Sequence, residues 1–308
     1  MVFTVIVPIF LLLFLGYLSV KLKILVKDQT NAVGTFVIRI ALPALLLHSL
    51  AEKNLHEIWI PSFFWVYTAV TFLLYCLALY LSRQYFRNSL SGSAVLALGA
   101  AMSNTGLIGT AVLTMLMGHA AMTPISLVVI IESVLLVPTV MVLAQLGRQS
   151  DLKVSAIAIR TVQTLIKNPL FMSVVIGISL AALELKIPHQ IDEVLTLLGH
   201  TASPLALFSI GGGIVGLSLR YVNLQSFYLV ASSNILMPLL MFLGLSYLTE
   251  LDQDMVYAGT LIAALPMPTI FGMLGQAYGI SEKTLTPLLM STIFGFMVTI
   301  GLITVWWS

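Results

Sequence analysis

Two stretches of the sequence decide the fold: LALGAAMSNTGLIGTAVL, residues 96–113, and LIAALPMPTIFGMLG, residues 261–275. Each is an apolar segment with a helix breaker at its middle. Ser and Asn within 103–106 favour caps and turns over helix interiors. Pro266 and Pro268 each lack an N–H and clash with the preceding helical turn. The sequence therefore predicts two helices that are interrupted halfway along their length.

The composition places these helices in a membrane. Of 308 residues, 59% are hydrophobic and 8% are charged, and the mean hydropathy is +1.05. Soluble domains carry about 25% charged residues. A net charge of +2 without a basic run does not suit a nucleic-acid partner. The single cysteine excludes an intramolecular disulfide framework. No catalytic set, metal site or cofactor motif is visible, so we expect no enzyme.

Ten segments are long and apolar enough to cross a bilayer, which takes about 20 residues. The predicted spans are 2–20, 32–50, 60–82, 93–117, 123–146, 168–186, 194–217, 226–249, 255–279 and 284–306. With both termini outside the cytoplasmic (inner) membrane, eleven of the fourteen Lys and Arg residues fall in cytoplasmic loops. This bias predicts a multi-pass protein of that orientation.

The two halves of the chain repeat each other. Pro8, Phe10 and Gly16 recur at an offset of 161 as Pro169, Phe171 and Gly177, and Pro43 recurs as Pro204. Five spans per half is an odd number, so the second half must enter the membrane from the opposite face. We therefore predict an all-α membrane protein of two inverted five-helix repeats, 1–146 and 168–308, joined by a cytoplasmic linker, 147–167. This architecture is typical of transporters.

The two broken spans, the fourth and the ninth, occupy corresponding places in the two repeats. Unwound backbone is tolerated in a membrane only where it is buried in protein or lines a polar cavity. The half-helices that start near Thr105 and Thr269 would direct N–H groups and positive dipole ends at that cavity, an arrangement that binds carboxylates. The alternative is a pair of structural kinks relieved by neighbouring helices.

Four polar residues in other spans are further candidates. Arg39 is expected to contact an anion, to pair with Glu132 or to snorkel to the membrane surface. Glu132 is expected to couple protons or to be a hydrogen-bonded structural carboxylate. His200 stands four residues before Pro204, as Arg39 does before Pro43, and is expected to contact an anion, to titrate near neutral pH or to be a hydrogen-bonded core histidine. Ser209 is expected to face the same cavity. The predicted substrate-binding residues are Ser103, Asn104, Thr105, Gly106, Pro266, Met267, Pro268, Thr269, Arg39, His200 and Ser209, with Glu132 as the candidate for proton coupling.

Seven short motifs in order resemble the auxin efflux carrier family, whose bacterial members include malate and malonate permeases. They are LGY at 15–17, ALP at 41–43, SNTG at 103–106, KNP at 167–169, PLALFSIGG at 204–212, MPL at 237–239 and LPMPT at 265–269. The resemblance implies the ten-helix fold of the sodium/bile-acid symporters. In that fold spans 1, 2, 6 and 7 form a panel, the other spans form a core with crossing helices 4 and 9, and the molecule is often a homodimer.

The resemblance also implies an elevator-type movement of the core. The expected function is a secondary transporter (permease) for a small organic anion, a mono- or dicarboxylate such as malate or malonate, driven by protons or by membrane potential. Two alternatives stay open: a sodium-coupled symporter of the bile-acid type, which the lack of a carboxylate in the break disfavours, and an anion sensor that does not transport.

Overall fold

Short polar loops and helix breakers divide the apolar sequence into a series of helices. The computed structural model describes residues 2–51, 59–147, 163, 166–167, 169–213, 215 and 222–307. The helices of the first half are α1 (Val2–Lys21), α2 (Lys27–Phe36), α3 (Leu42–Ala51), α4 (Pro61–Gln84), α5 (Leu90–Ala101), α6 (Thr110–Met117), α7 (Met122–Ile130) and α8 (Val137–Leu146). Those of the second half are α9 (Pro169–Ala182), α10 (His189–Gly213), α11 (Leu224–Ala231), α12 (Met237–Leu248), α13 (Gln253–Ala264), α14 (Thr269–Ala277) and α15 (Ser281–Trp306).

Three helices begin at a polar cap that the sequence supplies. The side chains of Ser89, Asn223 and Asp252 accept hydrogen bonds from the backbone N–H three residues later, at 3.1, 2.9 and 2.9 Å. Such caps satisfy donors that the first helical turn leaves without a partner. They fix the starts of α5, α11 and α13.

Within the described residues, four short π-helical segments interrupt the α-helical geometry: Val37–Ala41, Thr105–Gly109, Ile131–Leu136 and Ser232–Leu236. Pro43, Pro138 and Pro238 each follow the end of such a segment by two residues. Proline removes one helical hydrogen bond and clashes with the carbonyl four residues earlier. A wider turn just before the proline relieves both problems, and π turns of this kind concentrate at functional sites.

Membrane-spanning character is clear for much of the chain. Six helical stretches of the described residues are long and apolar enough to cross a bilayer: Lys27–His48, Pro61–Gln84, Leu90–Leu146, His189–Gly213, Leu224–Leu248 and Ser281–Trp306. The 57-residue stretch is divided by the break at 102–104 and by a turn at Gly118. Two shorter apolar stretches are Leu11–Lys21 and Met172–Ala182. The count of ten spans remains a prediction.

The helices pack as two groups. The panel consists of α1, α2, α3, α9 and α10, with the most extensive contacts between α1 and α10 and between α3 and α9. The core group consists of α4–α8 and α11–α15, in which α4 packs on α5 and α12 on α13. Contacts between the groups are less extensive and run mainly from α3, α9 and α10 to α6, α7 and the π segment Thr105–Gly109.

Glycines allow the close approach inside the panel. A Cβ atom added to Gly16 of α1 would lie 1.9 Å from the Phe208 carbonyl oxygen of α10, and one added to Gly211 would lie 1.9 Å from the Leu13 carbonyl oxygen. Small residues at helix interfaces bring backbones together where hydrophobic force between helices is weak. The α1–α10 pair therefore depends on both glycines.

The structure tests some of the predicted boundaries and not others. Most of 147–167, including the surface helix expected there, lies outside the described residues. The second span, expected from residue 32, begins at Lys27 with α2. The breaks expected in the fourth and ninth spans lie where α5 ends at Ala101 and α13 ends at Ala264.

A pair of Gly→Ala substitutions tests the panel contact. We expect Gly211→Ala to lower the free energy of unfolding by about 1–3 kcal/mol, because the new methyl group overlaps the Leu13 carbonyl. Gly301→Ala, on exposed α15 backbone with nothing within 4 Å of its Cβ position, should be neutral or should stabilise by up to about 1 kcal/mol. Thermal unfolding in detergent measures both. Equal effects of the two substitutions would contradict the close contact.

Candidate functional site

The two chain breaks meet each other. The backbone N–H of Asn104 donates to the carbonyl oxygen of Pro266 at 2.9 Å. The carbonyl oxygen of Asn104 accepts from the N–H groups of Ile108 and Gly109, at 3.0 and 2.9 Å. The first break thus supplies a hydrogen-bond donor and the second an acceptor. The helical segment that follows Asn104 also starts from this residue, because the Asn104 carbonyl oxygen accepts its first hydrogen bonds.

A side chain of α15 and one of a π segment hold the second break in place. Asn234 donates from Nδ2 to the carbonyl oxygens of Ala264 and Leu265, at 3.2 and 3.1 Å. Ser291 donates to Asn234 Oδ1 at 2.7 Å and accepts from the Met267 N–H at 2.9 Å. This Asn234–Ser291 pair is fully buried. It satisfies the backbone groups that the end of α13 leaves open.

The fit around this break is tight. Gly295 of α15 lies against it, and a Cβ atom there would be 3.0 Å from both the Cα and the N of Pro266 and 2.7 Å from Asn234 Nδ2. A larger residue at position 295 would push the broken segment away. The absence of a side chain is therefore part of what positions Pro266.

A buried carboxyl group supports the first break. Thr105 donates from Oγ1 to Glu132 Oε1 at 2.8 Å, and Ser103 Oγ lies 3.3 Å from Thr105 Oγ1. Glu132 is 4% exposed. The fully buried hydroxyl of Tyr67 lies near Ser103 and Glu132 but has no hydrogen-bond partner among the described residues. Four polar side chains from three helical segments thus gather beside Asn104.

The predicted site residues divide into two sets. Ser103, Asn104, Thr105, Pro266, Met267 and Pro268 are buried at the junction, and Gly106 is partly exposed there. The backbone of Thr269 begins α14. The side chain of Asn104 is 7% exposed and forms no hydrogen bond within the described part of the chain. Its amide group is therefore available to a ligand.

Arg39, His200 and Ser209 belong to the panel. Ser209 donates to the Thr30 carbonyl oxygen at 3.0 Å, so its hydroxyl is used in the contact between α2 and α10. His200 is exposed on α10. Arg39 is also exposed and does not pair with Glu132, which removes the expected ion pair; Glu132 bonds to Thr105 instead. The π segment that carries Arg39 contacts the π segment Thr105–Gly109.

Sequence reasoning missed Asn234, Ser291 and Tyr67. Asn234 carried a usable signal, since it stands four residues before Pro238, the spacing that Arg39 has to Pro43. Arg39, Glu132 and Asn234 all lie in π segments that precede a proline. Ser291 and Tyr67 carry no comparable signal in the sequence.

Comparison with known proteins now fixes the family. A family model described as "Membrane transport protein" matches residues 1–304. The chain belongs to this family. The resemblance to auxin efflux carriers is thereby confirmed. The family and the similar proteins are transporters, not enzymes.

Two relatives illustrate the similarity of this membrane transport protein. A Rhizobium meliloti (strain 1021) protein named "Putative malonate transporter" is 25% identical over 302 residues, which cover 97% of this chain and 93% of the relative. An Escherichia coli (strain K12) protein named "Uncharacterized transporter YfdV" is 25% identical over 297 residues, which cover 95% and 93%. The similarity therefore extends over nearly the whole of each chain.

Substitutions of Asn234 and of its neighbour Ser233 test whether Asn234 holds the second break, residues 265–268, in place. We expect Asn234→Leu to lower the free energy of unfolding by about 2 kcal/mol, because the buried Leu265 carbonyl oxygen loses its donor and the Ser291 hydroxyl loses its acceptor. The Ala264 carbonyl oxygen keeps only a 3.5 Å hydrogen bond from Thr299. Ser233→Ala is the matched control: its buried hydroxyl has no partner among the described residues, so its loss should be neutral or stabilising. Thermal unfolding in detergent compares them. A neutral Asn234→Leu would show that the break is held by other contacts.

Proposed function

We propose that this membrane transport protein is a secondary carrier of a small organic anion, a mono- or dicarboxylate such as malonate or malate. The observation that carries the proposal is the junction of the two breaks, where the Asn104 N–H bonds to the Pro266 carbonyl. Helical segments begin beside this bond at Thr105 and Thr269. Their first-turn N–H groups and positive dipole ends suit a carboxylate, and the free amide of Asn104 adds a donor. The name of the Rhizobium relative supports the same substrate class.

Arg39 supplies a second contact for an anion. In the predicted span 32–50 it lies seven residues, about 10 Å along the helix axis, from the cytoplasmic end, and its side chain is exposed. A cation exposed at this depth is costly unless it faces water or an anion. We therefore propose that Arg39 binds the second carboxylate of a dicarboxylate, and that water hydrates Arg39 when the carrier is empty.

The proposed transport movement uses the two packed groups. The panel is closely packed across Gly16 and Gly211, whereas its contacts with the core group are less extensive. This difference favours movement of the core group past the panel, with the junction carried along. We propose the rest of the architecture as well: ten spans in two inverted repeats, 1–146 and 168–308, a cytoplasmic linker, 147–167, both termini outside the cytoplasmic membrane, and a homodimer.

Protons are the proposed coupling ion. Glu132 is the buried carboxyl group nearest the junction and bonds directly to Thr105, so its protonation state is linked to the position of the first break. A sodium-coupled mechanism would need several oxygen ligands. The two breaks contain no carboxylate, and the carbonyl oxygens of Asn104, Ala264, Leu265 and Pro266 each use at least one lone pair in a hydrogen bond. Both features favour a proton or the membrane potential over sodium.

Uptake of labelled malonate and malate into proteoliposomes tests the function. We expect uptake to respond to imposed pH or voltage gradients and not to sodium. Asn104→Ala should lower the transport efficiency about 10- to 100-fold, the cost of one hydrogen bond to a charged group. Arg39→Gln should lower the transport efficiency of malonate more than that of a monocarboxylate. Lys186→Gln, an exposed loop residue, should transport normally. Uptake by Asn104→Ala at the wild-type rate would contradict a site at the junction.

Glu132→Gln separates binding from coupling. The amide keeps an oxygen that accepts from Thr105 but cannot exchange a proton. We expect this variant to exchange internal for external substrate at near the wild-type rate and to lose accumulation driven by a pH gradient. Glu193→Gln, exposed on α10, should behave as wild type in both assays. If Glu132→Gln still accumulates substrate in response to pH, the coupling role of Glu132 is wrong.

A further inference from the structure

Two basic side chains bond to Asn88 in the loop between α4 and α5, and a third basic residue, Arg87, precedes Asn88 in the sequence. Arg83 donates from Nη1 to the Asn88 carbonyl oxygen at 3.5 Å, and Lys283 donates from Nζ to Asn88 Oδ1 at 2.6 Å. Arg87 is the exposed neighbour of Asn88. Asn88 itself is 8% exposed and held by its Nδ2, which donates to the Ser82 carbonyl and hydroxyl oxygens at 3.2 and 3.1 Å.

These three cations have no acidic partner. In the described ranges, none of them forms an ion pair with a carboxylate, and the ion pair that is present joins His48 to Asp192. Glu282 is exposed beside Lys283 in the sequence but points about 100° away around the helix. Arg83 and Lys283 both bond to Asn88, one at its backbone carbonyl and one at its side chain, and like charges this close repel each other. The cluster is therefore suited to an anion from outside the chain.

An apolar groove lies on the same side of the bundle, between α11 with its following π segment and α15. Its volume is about 320 Å³, at the low end of the range for small-molecule sites. Its walls are apolar side chains: Phe227, Val230, Ile235, Met290, Phe294 and Met297. Phe227, Ile235 and Met297 are exposed at its rim, so the groove opens toward the lipid.

The cation cluster stands at one end of this groove. Lys283 precedes Met290 by seven residues and Met297 by fourteen, which places all three on one face of α15. Seven residues correspond to about 10 Å along the helix. On the opposite wall, Phe86 of the loop stacks on Tyr228 with ring centroids 6.0 Å apart, and Tyr228 is next to Phe227. The cluster and the groove therefore lie near the starts of the same two helices, α11 and α15.

We propose that the groove binds one acyl chain of an anionic phospholipid whose phosphate lies on Lys283 and Arg87. Basic pockets between membrane helices bind anionic head groups in this way. The ammonium of Lys283 has three donors, of which Asn88 uses one. Two donors remain for phosphate oxygens. The lipid also bridges the first repeat, through the α4–α5 loop, to α11 and α15 of the second.

Native mass spectrometry of the purified, delipidated protein tests this site. The protein is titrated with phosphatidylglycerol or phosphatidylcholine of identical chains. We expect one phosphatidylglycerol to be retained at least about tenfold more tightly than phosphatidylcholine, and Lys283→Gln to remove this preference. Ala231 also lines the groove, so Ala231→Trp, which fills it, should weaken the binding of both lipids. Lys186→Gln and Ala182→Trp, exposed residues elsewhere, are the matched controls and should bind as wild type.

Three results would overturn the proposal. The first is equal retention of the two lipids, and the second is unchanged retention of phosphatidylglycerol by Lys283→Gln. The third is displacement of the bound lipid by soluble glycerol phosphate at the same concentration as by phosphatidylglycerol. That result would indicate a site for phosphate without a site for the acyl chain. The thermal unfolding of each variant is measured first. Ala231→Trp keeps the test decisive if Lys283→Gln proves unstable.

Discussion

A polypeptide backbone inside a membrane must find its hydrogen-bond partners within the protein, and the rest of this structure follows from how two broken helices do so. The Asn104 N–H and the Pro266 carbonyl satisfy each other at 2.9 Å. The breaks lie 162 residues apart in the chain, so neither half satisfies its own break alone. The donors that are left over are those of the two helix starts, where we propose that an anion binds.

The same constraint explains where the polar side chains lie. Glu132 and Asn234 sit on π turns before prolines and reach opposite sides of the junction, one through Thr105 and the other through the carbonyls of Ala264 and Leu265. Arg39 sits on the corresponding turn of the panel. Each of these prolines follows a widened turn, and in two of the three turns the polar side chain, Glu132 or Asn234, bonds to the junction. We propose that Arg39 serves the junction from the third.

Much of this arrangement follows from local chemistry that the sequence displays. The breaks at 102–104 and 265–268 were predictable because Asn, Ser and paired prolines disfavour helix wherever they occur. Partners across the fold were not: nothing in the sequence distinguishes Ser291, which completes the second break, from hydroxyls that only bond to their own helix. The pairing of Arg39 with Glu132 was wrong for a similar reason, since Thr105, directly after the break, is the partner that Glu132 has.

The most direct test of the account is a structure of the protein determined with 2-bromomalonate, whose bromine can be located by anomalous scattering. The account predicts one carboxylate within hydrogen-bond distance of the backbone N–H groups that follow Asn104 or Pro268, and the second directed at Arg39. A ligand bound away from both helix starts, with the Asn104–Pro266 bond unchanged, would contradict it. The junction would then only satisfy the backbone hydrogen bonds of two broken helices and would not bind the substrate.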